Sequence, residues 1–128
     1  MKYFICALPC TDSSAGNCLL GIPSGQTERI IPSSRVQTKV YEYDNEEAFV
    51  SIPALFKLKE KSVLHGLVLK SKTVLLLPRI DVELEIPEEE IRLLPRALEE
   101  VFNYFRGVYF GSNMILILEP DKLLEYVK

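Results

Sequence analysis

Short apolar runs follow one another along this chain, each closed by a cluster of Pro, Gly, Ser, Asn or Asp, and few windows keep a helical period beyond two turns. That is the pattern of β-strands joined by turns. Lys2 to Leu8 reads as a first strand, rich in aromatic and β-branched residues, and Cys18 to Ile22 as a second, with a loop from Pro9 to Asn17 between them. Pro23, Ser24 and Gly25 then interrupt the chain, and Thr27 is placed to cap a short turn carrying Ile30 and Ile31 that ends at Pro32. Val36 to Tyr43 alternates apolar and polar positions, Asp44-Asn45 supplies a turn, and Ala48 to Ile52 forms the return strand of a hairpin. Pro53 starts a brief helical turn holding Leu55, Phe56 and Leu58, after which Lys57, Lys59, Glu60 and Lys61 lead out into solvent.

Two further strands, Val63 to Leu69 and Thr73 to Leu77, are joined across Lys70, Ser71 and Lys72. Ile80, Val82, Leu84 and Ile86 then alternate with Asp81, Glu83 and Glu85, the cleanest period-2 segment in the chain, which predicts one buried face and one acidic, wet face. Pro87 opens an acidic turn over Glu88 to Glu90, and Pro95 closes the segment. Propensity weakly favours a short helix over Ala97 to Phe102. Tyr104 to Phe110 and Met114 to Leu118 pair as strands across Gly111, Ser112 and Asn113, and a helix from Asp121 to Val127 puts Leu123, Leu124 and Val127 on one face. The expectation is a mainly β chain of nine or ten short strands and at most three short helices, with no break in composition to divide residues 1–128 into more than one domain.

Length and composition support that reading and narrow the function. With 128 residues, 48% of them hydrophobic, the chain is long enough to bury a core without staples. Eighteen acidic residues against fifteen basic ones leave a net charge of −3, so the basic footprint that drives phosphate binding is missing and nucleic acid is not expected as a partner. The apolar stretch before Pro9 is short for a secretory core and lacks a small-residue cleavage site. No window approaches the roughly 18–20 apolar residues of a membrane span. The expected setting is cytoplasmic, without membrane insertion.

The side chains that could carry chemistry are few. A nucleophile needs a base within hydrogen-bond reach, and every Ser-His or Cys-His scheme would depend on His65, the one histidine, which falls inside a strand. There is no Gly-x-Ser-x-Gly elbow, and Gly21-Ile22-Pro23-Ser24-Gly25 lacks the lysine and glycine spacing of a phosphate cradle. Glu88, Glu89 and Glu90 share one solvated turn, whereas acid and base roles need carboxylates in different environments. Cys6, Cys10 and Cys18 are odd in number, a poor basis for a disulfide framework, and a four-ligand metal site would have to borrow the distant His65. Cys6 reads instead as a small buried hydrophobe on the strand face of Phe4 and Leu8. No enzyme constellation, cofactor site or metal site is expected. A small β-barrel binding a ligand or metal through Cys6, Cys10, Cys18 and His65 stands as the alternative function.

Tyr41, Tyr43, Tyr104, Tyr109 and Tyr126, with Arg29, Arg35 and Arg79, are residue types enriched where proteins meet one another. The order of motifs gives this a direction. Phe105-Arg106-Gly107-Val108, then Met114-Ile115-Leu116-Ile117-Leu118 and Asp121-Lys122-Leu123-Leu124, resembles the terminal block of the CheW-like chemotaxis coupling domains. Leu77 to Leu84 with Arg79-Ile80-Asp81, and then Glu85-Ile86-Pro87, is similar to the apolar strand and Glu-Ile-Pro exit that precede it, and Ala48 to Leu58 to the strand and short helix of the middle block. The resemblance runs from about Tyr3 to Val127, and its weight lies in the order of the blocks. The sequence departs from the pattern where the family usually has an Arg-Gly step, which aligns with Tyr43-Asp44, and where it has Gly and Val-Asp, which align with Val74 and Leu77-Pro78.

The resemblance implies two small five-stranded, SH3-like β-barrels about a shared apolar core, an architecture the strand count permits. It also implies a non-enzymatic adaptor that couples chemoreceptors to a histidine kinase, contacting the kinase regulatory domain, the chemoreceptor cytoplasmic tip, or both. On the early hairpin and its approach, Ile30, Ile31, Arg35, Tyr41 and Tyr43 are the candidate protein-binding residues, the two isoleucines having the core as their other place.

Overall fold

The computed structural model of the protein describes residues 1–9, 17–57, 63–99 and 103–128. Its strands are β1 (Lys2–Pro9), β2 (Asn17–Pro23), β3 (Thr27–Pro32), β4 (Tyr41–Asp44), β5 (Glu47–Ser51), β6 (His65–Leu69), β7 (Thr73–Leu77), β8 (Val82–Glu85), β9 (Ile91–Arg92), β10 (Phe105–Phe110) and β11 (Met114–Leu118). Three short helices accompany them, α1 (Ile52–Leu55), α2 (Arg96–Glu99) and α3 (Pro120–Val127), with single 3₁₀ turns at Ser24–Gln26 and Glu88–Glu90. No described helix is long and apolar enough to cross a membrane.

The strands form two sheets. One runs β8-β1-β2-β11-β10-β9 and the other β3-β6-β7-β5-β4. Most neighbours are antiparallel, but β2 pairs with β11 and β5 with β7 in parallel, so each sheet contains a contact that no hairpin could supply. The expected mainly β architecture in two halves is present. The strand count of five holds for the second sheet, while the two-residue β9 adds a sixth to the first, and among the described residues the ladders of neither sheet close into a ring.

Three apolar clusters hold the strands. The largest takes Cys6, Leu8, Leu20, Ile22, Val108 and Leu118 from the first sheet and Val50, Leu67, Leu69, Leu75 and Leu77 from the second, with Leu123 and Leu124 of α3. A second cluster belongs to the first sheet, Tyr3, Ile5, Ile86, Ile115 and Ile117, and a third to the second sheet, Val68, Val74 and Leu76 with Ile31, Phe49 and Val63 packed against them. Along β1, β7 and β11 alternate residues enter different clusters, so both faces are buried. That is why Thr73 to Leu77 and Ile115 to Leu118 read as unbroken apolar runs. Cys6 shares its cluster with Leu8 and with Phe4 packed at its margin, as its place in the sequence suggests.

The ends of the elements follow from local chemistry. Ser51 accepts a hydrogen bond from the Ala54 N–H and Pro53 occupies the first turn of α1, while Pro120 does the same for α3. The β4–β5 hairpin turns on Asn45 and Glu46, both at positive φ, one residue later than the Asp44-Asn45 reading, because a two-residue turn of the right hand needs both central residues in that region. Gly107 sits at a bulge where the Arg92 carbonyl of β9 passes so close that no Cβ could be accommodated without movement.

Three expectations change. Thr27 does not cap a turn: the 3₁₀ turn lies before it, its hydroxyl donates to the Pro23 carbonyl, and Thr27–Pro32 is a strand recruited by pairing with β6. The alternation from Val36 to Tyr43 yields strand only from Tyr41, because Gln37 turns inward and its amide is used by carbonyls. The acidic segment at Val82–Glu85 is a strand, but all four residues are exposed, since β8 is the last strand of its sheet. Leu58 and the end of the helix read over Ala97 to Phe102 lie outside the described residues.

Candidate protein-interaction surface

The five candidate residues fall on the two edge strands of the second sheet and the segment that joins them. Strand β3 carries Ile30, 41% exposed, and Ile31, which turns the other way into the cluster with Val74 and packs against Gly66. Strand β4 carries Tyr41, packed at the margin of the shared cluster, and Tyr43, 65% exposed. In ladder order β3 and β4 are opposite ends of the sheet, so the structure does not bring Ile30 and Tyr43 side by side through strand pairing. Ile30 and Tyr43 are therefore available to a partner, whereas Ile31 and Tyr41 are mostly engaged in packing.

Arg35 is half-buried and tied down. Its Nε donates to the Gln37 side-chain oxygen at 3.0 Å, its Nη1 to Asp44 at 3.1 Å, its Nη2 lies 3.7 Å from Glu42, and its guanidinium carbon is 4.1 Å from the centre of the Phe49 ring. Gln37 is buried and its amide donates to the carbonyls of Lys39, Val40 and Phe49. The two side chains fasten residues 33–40 to the β4–β5 hairpin. Between them Val36 is held out at 91% exposure, a residue sequence patterning assigns to a strand and so passes over as an exposed contact. Leu64 is also exposed, and its carbonyl accepts from the Ser33 N–H. The signal for Val36 was the charged and polar pair flanking it, which can be read as anchors only once Phe49 and Asp44 are known to lie beside them.

On the first sheet, Arg106 of β10 grips Glu88 through both terminal nitrogens, with the Nη1 contact at 3.0 Å, and Tyr3 donates its hydroxyl to the same carboxylate at 3.1 Å. Arg106 holds the Glu88 carboxyl below its ordinary range, and burial first, then Glu88, pushes the Tyr3 hydroxyl up to about 12. This pins the acidic turn to two strands, so Glu88 is a structural partner rather than part of a uniformly solvated run.

The residues of the ligand- or metal-binding alternative are not assembled. Cys6 is buried on β1 of the first sheet, and burial pushes its thiol up to about 12, which makes it a poor source of thiolate. His65 opens β6 of the second sheet, and its Nδ1 is buried without a hydrogen-bond partner, so no carboxylate among the described residues orients the ring through that nitrogen. Cys10 and the Cys18 side chain lie outside the described residues. Among the described residues no group of three or more His, Cys, Asp or Glu side chains is arranged to hold a metal ion.

Comparison with known proteins places this geometry in a fold. No family model matches the sequence, and no curated protein matches it. Among solved structures it is similar to the crystal structure of the scaffolding protein TtCheW from Thermoanaerobacter tengcongensis, at 12% identity, with a TM-score of 0.66 over 91% of this chain and 82% of that one. The fold is CheW-like, as the order of the three sequence blocks indicates.

Proposed function

We propose that this protein is a non-enzymatic adaptor of chemotaxis-type signal transduction, one CheW-like domain over residues 1–128 that couples chemoreceptors to a histidine kinase through protein–protein contacts. The observation that carries the reading is the likeness to the TtCheW scaffold over nine-tenths of the chain, joined to the same order of motifs in the sequence. In this reading the two sheets are the two small barrel-like halves of the coupling domain, and the protein works in the cytoplasm. Its partners are the regulatory domain of the kinase, the cytoplasmic tip of the receptor, or both.

The contact falls on the free edges of the second sheet, with Ile30 and Tyr43 as direct contacts and Arg35 holding the segment that carries Val36. An aliphatic and an aromatic side chain held outward on anchored backbone lose little freedom when they meet a partner, and such groups supply most of an interface's energy. A contact of this kind buries about 1,200–2,000 Å² in total when stable and less when transient. Tyr43-Asp44 stands where the family has Arg-Gly, so the pairing partner is matched to tyrosine and carboxylate at that corner. The test is co-sedimentation of the protein with the kinase regulatory domain and with a receptor-tip fragment from the same organism. Co-migration with either supports the adaptor, and independent migration from both rejects it.

A further inference from the structure

We propose that the free edge of β8 takes an extended, basic segment of a partner protein as a seventh strand of the first sheet. Strand β8 pairs with β1 on one side, and no described strand pairs with its other side. Ile86 donates its N–H to the Met1 carbonyl. In an antiparallel ladder the residues that exchange hydrogen bonds recur every second position, so Leu84 and Val82 turn their main-chain groups toward Tyr3 and Ile5 while Glu83 and Glu85 turn theirs outward. The outward groups are the ones an added strand would use.

The side chains give the edge its selectivity. Ile86, Leu84 and Val82 form one row, opposite the buried Tyr3 and Ile5, yet their exposure rises from 0% to 37% to 56% along it. The row is patterned for burial and loses its cover toward Val82. The other face carries Glu85, which accepts from the Met1 ammonium at 2.8 Å, and Glu83, 4.0 Å from the Lys2 ammonium; both carboxylates stay partly exposed beside these cations, and residues 79–92 hold six carboxylates against two arginines. An occupant that fits has apolar residues at every second position over Val82 and Leu84, and Lys or Arg between them facing Glu83 and Glu85. A second copy of this chain fits poorly, because its own β8 would bring carboxylates against carboxylates. The inference rests on the geometry of this edge and is independent of the adaptor reading.

The probe is a fluorescent Lys-Val-Lys-Val-Lys-Val-Lys peptide titrated into the whole protein and followed by anisotropy, with amide hydrogen exchange on the same mixture. The expected result is saturable binding, about tenfold or more tighter than to a peptide of the same composition with its lysines and valines in separate blocks, and slowed exchange at Glu83 and Glu85. Methylating alternate peptide nitrogens weakens binding about tenfold, the scale of one or two lost main-chain hydrogen bonds. Glu83→Pro does the same, since the N–H it removes faces outward and β1 does not use it. Equal binding of the block peptide, or no effect of N-methylation, reduces the interaction to charge and overturns the proposal. Protection of the Glu83 and Glu85 amides that grows with protein concentration without peptide gives the edge to a second copy and also overturns it.

Discussion

The guanidinium of Arg35 lies 4.1 Å above the Phe49 ring while the same group is bonded to Asp44 and Gln37. One side chain thus joins the free segment after β3 to the hairpin beyond it, by stacking on an aromatic face and by directed hydrogen bonds at once. Arg35→Ala is expected to cost about 1–2 kcal/mol of stability, the combined scale of a cation–π contact and a net hydrogen bond. Arg35→Lys recovers little, because an ammonium cannot stack and fork together. Chemical denaturation of the two variants checks this, and an alanine variant as stable as the parent would contradict it.

Glu88 gives the fold a dependence on acid. Its pKa is lowered in the folded protein, chiefly by the hydrogen bonds from Arg106, so its contribution to stability is present above the ordinary carboxylate range and is lost as pH falls through the folded value. Tyr3 acts at the other end. Its hydroxyl is raised to about 12, so its contribution is present below about pH 10 and is lost as pH rises toward 12. Denaturation midpoints measured from pH 7 down to 3 should fall less steeply for Glu88→Gln than for the parent protein, and the alkaline fall should shrink for Tyr3→Phe. Unchanged slopes would show that the Arg106–Glu88–Tyr3 set is idle.

Cys6 is predicted to be silent toward thiol reagents while the protein is folded. Burial keeps it protonated and covers it with Leu8 and Leu20. In a chain carrying Cys10→Ser and Cys18→Ser, labelling should appear only with unfolding, at a rate that follows denaturant concentration. Rapid labelling under native conditions would mean that β1 opens readily or that the shared cluster is loosely packed.

Gly107→Ala should destabilise the protein by about 1–3 kcal/mol, the range for forcing extra volume into a packed site. The added methyl would meet the Ile91 side chain and, closer still, the Arg92 carbonyl, which is main chain and cannot swing aside as a flexible side chain can. Its first effect is expected to be loss of the β9 pairing, visible as faster exchange of the amides that bond across the β9–β10 ladder. Gly25→Ala, with open space around the site, serves as the control.

Much of the fold was legible because strand faces are local. The apolar runs at Lys2–Leu8, Thr73–Leu77 and Met114–Leu118 mark strands buried on both sides, and Gly-Ser-Asn between Phe110 and Met114 marks the β10–β11 hairpin. What stayed hidden depends on partners distant in sequence. Thr27–Pro32 becomes strand only because β6 lies beside it, and the parallel pairing of β2 with β11 joins residues nearly a hundred positions apart. At β8 the alternation is real and the burial is partial: Ile86 is buried and Ile80 packs on the shared cluster, but Val82 and Leu84 stay exposed, since no described strand lies beyond β8 to cover them. The candidate surface divides in the same way. Tyr43 and Ile30 could be proposed from residue type, but the inward turn of Ile31 and the tethering of Arg35 by Phe49 and Asp44 required the folded chain.

The adaptor role proposed for this CheW-like fold includes Tyr43 in the partner contact. Its most direct test is calorimetric titration of the protein, and of Tyr43→Ala, with the regulatory domain of each chemotaxis-type histidine kinase and with receptor-tip fragments from the same organism. Tyr43 is 65% exposed, so its truncation should leave the stability within about 0.5 kcal/mol of the parent's. Saturable binding to at least one partner is expected, weakened by about tenfold or more in Tyr43→Ala, as for an aromatic anchor. Binding that Tyr43→Ala leaves unchanged would move the contact off this edge, and no binding to any kinase or receptor would contradict the adaptor itself.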